Sequence, residues 1–237
     1  MANGKLESGD FIKLEFTGTR AASGEMFDTT NEEKARAAKI YDEKAVYKPR
    51  LVVLGRKQII QGLEEALLGM GVGEEKRVEV PPEKGFGSRN PDLVRVLPIS
   101  EFKKHDIEPY PGMVVDLDGV AAFVKSVSGG RVMVDLNPQL AGEKLIYDIK
   151  VVEKITETKG KVAAVLDSNN IKGDASISGD VAEITFREGR RDADFVVSKL
   201  AAVNAVLALI PEIKKIRTIE EYERKEQAQT AQTEEKK

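Results

Sequence analysis

The chain offers few side chains for covalent chemistry, since it contains no cysteine and a single histidine, His105. Disulfides, thiolate nucleophiles and zinc knuckles are excluded, and with them most imidazole-based triads and metal sites. No metal and no cofactor are expected, and His105 reads as a solvated helix-end residue. Gly69-Met70-Gly71-Val72-Gly73 mimics part of a dinucleotide fingerprint, but it follows a helical pattern instead of a strand and reads as a helix stop. What remains are aromatic rings gathered at the ends of strand patterns. Catalysis by such groups works through an apolar environment and shape, without a covalent intermediate.

The elements that must position these groups centre on Leu54 to Gly87. Ile59, Leu63, Ala66 and Met70 recur at helical spacing, with Ile60 and Leu67 widening the stripe, so a short helix is apolar on one side and turns Glu64 and Glu65 to water. Gly69, Gly71 and Gly73 end it. Lys76 to Val80 reads as a strand with Val78 and Val80 on one face, closed by Pro81-Pro82 because proline cannot extend a central ladder. Gly85-Phe86-Gly87 then lifts one ring on a flexible backbone. Upstream, Asp10 to Phe16 alternates Ile12, Leu14 and Phe16 against Lys13 and Glu15, a strand buried on one side. Gly18 and Ala22-Ser23-Gly24 make a turn, and Met26-Phe27-Asp28 starts the return. Thr30 to Lys48 reads as a surface excursion with a helical charge mix, before a strand at Leu51 to Leu54.

From Pro91 to Leu136 the pattern changes. Leu93, Val94, Val96 and Leu97 suggest a short strand, Ser100 a helix cap before Glu101 to His105, and Met113 to Leu117, Val120 to Val127 and Arg131 to Leu136 a run of hairpins with turns at Asp118-Gly119 and Ser128-Gly129-Gly130. This predicts a small β domain inserted into the first. Glu153 to Gly160 reads as a linker. Beyond it, Lys161 to Leu166 and Val181 to Phe186 read as strands around a polar loop, Asp167 to Asp180. Asp192 is placed to cap a helix ending near Ile210, with a seam of Val196, Leu200, Val203, Leu207 and Ile210 broadened by Val197, Ala201 and Val206. A unit of this size covers such a face poorly, so a homodimer through it is expected; a private core is the competing reading. Glu226 to Lys237 reads as a disordered tail.

The 237 residues suffice for two or three cores. A net charge of −3 with 32% charged residues of both signs gives no basic field for a nucleic acid and no attraction to anionic membranes. The N-terminus lacks the apolar core of a signal peptide, and no run approaches the ~20 apolar residues of a spanning helix. A cytoplasmic location is expected.

The order Leu54-Gly55, Ile59-Ile60, Gly62-Leu63-Glu64, Val72-Gly73-Glu74, strand, Phe86-Gly87 resembles the FKBP-type peptidyl-prolyl isomerases. Phe16-Thr17-Gly18 and Gly24 to Asp28 resemble that family's second strand and its Phe-Asp pocket wall, and Leu145 to Val152 its last strand. Asn137 to Gly142 resembles the exit of the extra flap in the SlyD-like subgroup, although the histidine-rich tail of some members is absent. The resemblance implies an α+β fold: an antiparallel half-barrel sheet wrapped on a short helix over 1–88 and 137–155, a β-rich flap over 89–136, and an additional α+β domain over 160–225, followed by the tail 226–237.

By the same resemblance a proline ring sits on Leu63, walled by Phe16, Phe27 and Tyr147 with Phe86 over the far side and Ile59 on the rim. The Ile60 N–H holds a substrate carbonyl, and Asp28 lies near the twisting amide; Asp28, Phe86 and Tyr147 are the candidate catalytic residues. Taken singly, Phe16, Ile59 and Tyr147 are ordinary core residues and Asp28 a turn residue. Only their joint placement makes a site. Leu63 stands where the best-known members have tryptophan, Phe16 and Phe86 replace tyrosines, and Tyr147 replaces phenylalanine. Two hydroxyl donors are lost, which predicts a shallower grip on peptide backbone and weak macrolide binding.

Three readings compete. In the first, an isomerase acts on unfolded, proline-containing polypeptides captured by the flap through Val94, Val96, Ile99, Phe102, Met113, Val114 and Phe123. In the second, the same scaffold is a weakly catalytic or non-catalytic holdase. In the third, a structural dimer displays the isomerase on a larger assembly.

Overall fold

A computed structural model describes residues 4–117, 119–186 and 193–220 and divides into two compact units, Met1–Lys154 and Ile155–Lys237. Asp118, the Asp192 cap and the tail 226–237 lie outside the described residues.

In the first unit, β1 (Phe11–Arg20), β2 (Met26–Thr29), β3 (Arg50–Val53), β4 (Glu75–Val80) and β9 (Leu145–Ile155) form a five-stranded sheet in the order β2-β1-β9-β4, with β3 also on β1. Antiparallel pairing places Thr17 opposite Thr29 and Phe11 opposite Val53, and it pairs Val78 with Tyr147 on the other side. The inward set Ile12, Leu14, Phe16, Val78, Val80, Leu145, Tyr147 and Ile149 packs with Leu63, Leu67 and Met70 around helix α2 (Gln61–Leu67). Apolar alternation thus put one sheet face on one helix. The helix is shorter than its apolar stripe: Ile59, in a bend, and Ile60, in extended backbone, precede it, and Met70 follows its end. Glu64 turns back to accept the Gly55 N–H, leaving Glu65 as the exposed acid.

Gly18 lies inside β1 at a register shift, not in the turn after it. A side chain there would collide with two rings: an added Cβ would stand 2.6 Å from Phe27 Cζ and 2.9 Å from Tyr147 Cε1. Space, not turn chemistry, requires the glycine. Helix α1 (Glu32–Ala37) is capped by the Asn31 side chain and buries Ala35.

Between β4 and β9, the strands β5 (Val94–Pro98), β6 (Val114–Leu117), β7 (Val120–Ser128) and β8 (Arg131–Asp135) form an antiparallel sheet ordered β5-β8-β7-β6. Its inner face, Val115, Ala122, Val124, Val132 and Val134, closes on Phe102 of α3 (Ile99–Lys103). Ser100 lies within that helix; Pro98 is the capping position, and its missing N–H costs nothing there.

The second unit corrects two expectations. Lys161 to Leu166 is helical, part of α4 (Thr158–Ser168), because Val162, Val165 and Leu166 are buried together at a spacing of three and four. The linker shrinks accordingly, with Glu153 to Ile155 in β9 and Thr158 to Gly160 in α4. Inside the expected polar loop, β10 (Gly173–Ser178) pairs antiparallel with β11 (Val181–Phe186). β12 (Lys215–Glu220) joins β11 in parallel after the crossover helix α5 (Ala193–Leu209). Helix α5 buries Phe195, Ala202 and Val206 and leaves Val196, Val197, Leu200 and Leu207 exposed. The expected seam is therefore split: Ile210 is buried and Val203 half-buried, while Val196, Leu200 and Leu207 are exposed; of the residues expected to broaden it, Val206 is buried and Val197 exposed. No helix among the described residues is long and apolar enough to cross a membrane.

Candidate active site

A concave slot of about 360 Å³ opens where α2 meets β1, β2 and β9. Phe16 from β1, Asp28 from β2, Ile59 and Ile60 from the approach to α2, Leu63 from its first turn, Phe86 from the loop after β4, and Tyr147 from β9 all line it. These are seven of the eight pocket residues singled out in the sequence. The eighth, Phe27, stands behind the wall: its ring meets Tyr147 edge-on, centroids 5.6 Å apart at 85°. Phe16 leans on the same tyrosine at 6.1 Å and 57°. Tyr147 is thus wedged between two phenylalanines, with its orientation set by packing.

Leu63 is 4% exposed and forms the floor, while Phe86 is 38% exposed and forms an open rim. The rise of Phe86 follows from its neighbours. Pro82 to Lys84 make one turn of 3₁₀ helix, and the Gly87 N–H returns to the Pro82 carbonyl, throwing the intervening ring outward. Helix α2 approaches β4 closely enough that a Cβ on Gly62 would stand 2.7 Å from Val80 Cγ1. The Gly-Leu step therefore serves two purposes, close backbone approach and the floor itself.

Sequence reasoning missed Leu14, Arg50, Lys57 and Gln58, which also line the slot. Arg50 is the most consequential. Its guanidinium lies 4.7 Å above the Phe16 ring and 3.7 Å from Asp28, so the one carboxylate of the wall has a cation beside it. The antiparallel pairing of Leu14 with Arg50 could have suggested this, had the register of β3 on β1 been readable. Burial pushes the Tyr147 phenol up to about 12, Asp28 adds to the rise and Arg50 opposes it. The phenol therefore stays protonated across the physiological range, available as a donor and never as a base. Nothing in the slot is arranged as a nucleophile with a base, and no group of metal-ligating side chains occurs among the described residues. The slot can take an apolar ring, exclude water around it, and present one carboxylate and one phenol at its edge.

On the inserted sheet, strand register separates the residues expected to contact clients. Val94, Val96, Val114 and Phe123 share the face opposite α3, joined by Met133, which sequence reasoning overlooked. Val96 and Val114 are 54% and 64% exposed. Phe102 is a correction: at 3% exposure it is the centre of the insert's own core, with Ile99 and Met113 packed around it. A four-stranded sheet with a single short helix needs those three rings and chains to hold together.

Residues 95–140 match the family described as FKBP26, IF domain. The short-type peptidyl-prolyl cis-trans isomerase of Methanocaldococcus jannaschii is 38% identical over 146 residues, covering 62% of this chain and 92% of that protein. The FKBP-type 16 kDa peptidyl-prolyl cis-trans isomerase of Escherichia coli K12 is 33% identical over 111 residues, 45% of this chain and 74% of the relative. The FKBP-type isomerase SlyD of Haemophilus influenzae is 31% identical over 128 residues, covering 52% and 67%. With an apolar slot bearing one carboxylate and with relatives of this extent, the chain belongs to the FKBP-type peptidyl-prolyl cis-trans isomerases.

Proposed function

We propose that this isomerase acts on unfolded and partly folded polypeptides, which its inserted sheet captures and passes to the slot. A prolyl bond turns over slowly because its amide has double-bond character, with a barrier of roughly 20 kcal/mol. Moving the amide out of water disfavours the planar, charge-separated form relative to the twisted one, and shape adds to the preference. Removing about 5 kcal/mol speeds the exchange by between three and four powers of ten. In this reading the proline ring rests on Leu63 between Phe16 and Tyr147, Phe86 covers it, the Ile60 N–H takes a carbonyl, and Asp28 with Arg50 sets the polarity near the twisting bond. Phe27 serves by bracing Tyr147.

The observation that carries the capture step is the apolar face of Val94, Val96, Val114, Phe123 and Met133, with Val96, Val114 and Met133 exposed and Val94 and Phe123 half-buried, on a sheet whose other face packs on its own core. Capture raises the local concentration of prolines at the slot. The test is a proline-limited refolding assay on the chain with and without residues 89–136: loss of the insert should cut refolding far more than turnover of a short peptide. Equal effects on both would refute the coupling.

A second reading, a holdase with little catalysis, is favoured by the floor being Leu63 and by the phenylalanines at 16 and 86, which leave fewer hydroxyl donors for a peptide backbone. Turnover that is measurable and falls sharply in Asp28→Ala or Phe86→Ala decides for the enzyme. For the second unit we retain a homodimer through α5, supported by the exposed stripe Val196, Val197, Leu200 and Leu207. A light-scattering mass equal to one chain at micromolar concentration would remove it.

A further inference from the structure

The inserted sheet joins the body through two chain crossings, and these are fastened by a polar network instead of a flexible linker. Asp135, the last residue of β8, is 4% exposed. Its Oδ1 accepts from the Asn137 N–H at 3.0 Å and from Asn137 Nδ2 at 2.8 Å. Its Oδ2 pairs with Arg89 of the incoming crossing and lies 3.9 Å from Lys125 Nζ. Asn137, itself buried, accepts from the Asn90 N–H at 2.8 Å and donates to the Asn90 carbonyl at 2.9 Å. The Leu136 N–H donates to the Leu93 carbonyl and the Gly142 N–H to the Gly87 carbonyl. Beyond Gly142, Glu143 pairs with Arg20 at the end of β1, and the Ala21 N–H donates to the Lys144 carbonyl. A continuous set of contacts thus runs from the inserted sheet to the main sheet.

Burying a carboxylate is costly unless every lone pair is met, and a partly met network is worse than an apolar joint. Here the partners come from both crossings, so they are met together only in one arrangement. Strand pairing puts Asp135 opposite both Val94 and Phe123, on the face of the insert away from α3, where the joint buries Asp135 and leaves Val96, Val114 and Met133 exposed. The same joint bounds a cleft of about 540 Å³ whose walls are Val114, Ala121 and Phe123 of the insert and Arg20 and Glu143 of the body.

We propose that Asp135 is a positioning residue: with Arg89 and Asn137 it locks the insert's face away from α3 at one orientation over this cleft, and refolding of protein clients depends on that lock. The proposal rests on the capture reading above. Turnover of a short peptide needs only the slot and does not require the lock.

The absence of native cysteine allows a direct readout on the full chain. Spin labels at Ser23→Cys on the body and Ser128→Cys on the insert, both exposed, report the inter-label distance distribution without any client. In Asp135→Asn the distribution should broaden, proline-limited refolding should fall by about fivefold or more as local concentration is lost, and peptide kcat/KM should stay within about twofold. Arg89→Gln, at a half-exposed position, should give the same result should the Asn variant fold poorly, and Arg89→Lys should restore it. A distribution as narrow as the parent's, undiminished refolding with a broadened one, or equal losses on protein and peptide overturns the proposal. Failure of the capture reading shows separately, as refolding unaffected by removal of the insert.

Discussion

The Phe27 ring meets Tyr147 edge-on at 5.6 Å and 85°, and both rings occupy the space that a side chain on Gly18 would fill. One wall of the slot is therefore set by a residue that contributes no atoms to its surface. This is the kind of constraint a pocket built on strands makes possible, because residues two apart on β1, Phe16 and Gly18, face the same interior.

Gly18→Ala should therefore damage the site more than the fold. The added methyl displaces Phe27 and Tyr147 or forces the strand to shift, an overpacking cost of about 1–3 kcal/mol. The variant should remain folded at 25 °C by far-ultraviolet circular dichroism and urea titration, with peptide kcat/KM down by about an order of magnitude. Parent-like turnover would show that the rings have room to move and that Tyr147 orientation is unimportant.

Much of this site was legible because FKBP-type signatures are local: Leu54 to Gly87 brings floor, rim and Ile60 together within a short stretch. What could not be read was set across strands. Arg50 reaches Asp28 only through the register of β3 on β1, and Phe102 looked like a client contact until the insert's sheet showed that it had nothing else to fill its core. Lys161 to Leu166 misled for a different reason. Its two valines suit a strand by composition, while the two alanines and the burial of Val162, Val165 and Leu166 at a spacing of three and four suit a helix. In β10 the error ran the other way, since glycine, aspartate and serine hid the alternation around Ala175 and Ile177.

Tyr147 supplies a pH test. Its phenol is raised from an ordinary value near 10 to about 12, mainly by burial. A group whose folded pKa exceeds its unfolded one contributes stability that is complete below the unfolded value and is lost as pH rises through the folded one. Between about pH 10 and 12 the parent should lose stability that Tyr147→Phe retains, as followed by urea midpoints. Difference absorbance at the phenolate band should show one tyrosine of the parent titrating late. If the Phe variant has the same alkaline limb, the tyrosine is not withdrawn from water as described.

The outward face of the main sheet predicts an acid limb. Glu75 pairs with Lys150 directly across the β4–β9 ladder at 2.8 Å, and Glu79 pairs with Lys144. Hydrogen bonds from those lysines lower both carboxyl pKa values, and Lys84 does the same for Glu65. Depressed folded pKa values give stability that is present above the unfolded value, near 4.3, and lost as pH falls through the folded ones. All three groups are exposed, so the effect should be modest and weaken in high salt. Glu75→Gln should flatten the fall in thermal midpoint below pH 4 and leave the midpoint at pH 7 in high salt nearly unchanged. An identical acid limb in parent and variant would mean that the pair contributes nothing measurable.

Gly62 offers the cleanest way to separate floor from scaffold. Its missing side chain lets α2 approach β4, where an alanine Cβ would press on Val80 Cγ1 at 2.7 Å and Cγ2 at 3.0 Å. Leu63 is the next residue, so any outward shift of the helix carries the floor of the slot with it. Gly62→Ala should lower stability by about 1–3 kcal/mol through overpacking and also lower peptide turnover. Val80→Ala alone should cost a similar amount by leaving a cavity. The two changes touch one another, so their effects should not add: the double variant should be more stable than the sum of the singles predicts, by about 0.5–3 kcal/mol. Turnover should recover with it, because the space vacated by valine readmits the helix. Strict additivity in urea titrations would mean that α2 has another way to accommodate the methyl group, and that the closeness of helix and strand is not what sets the depth of the slot.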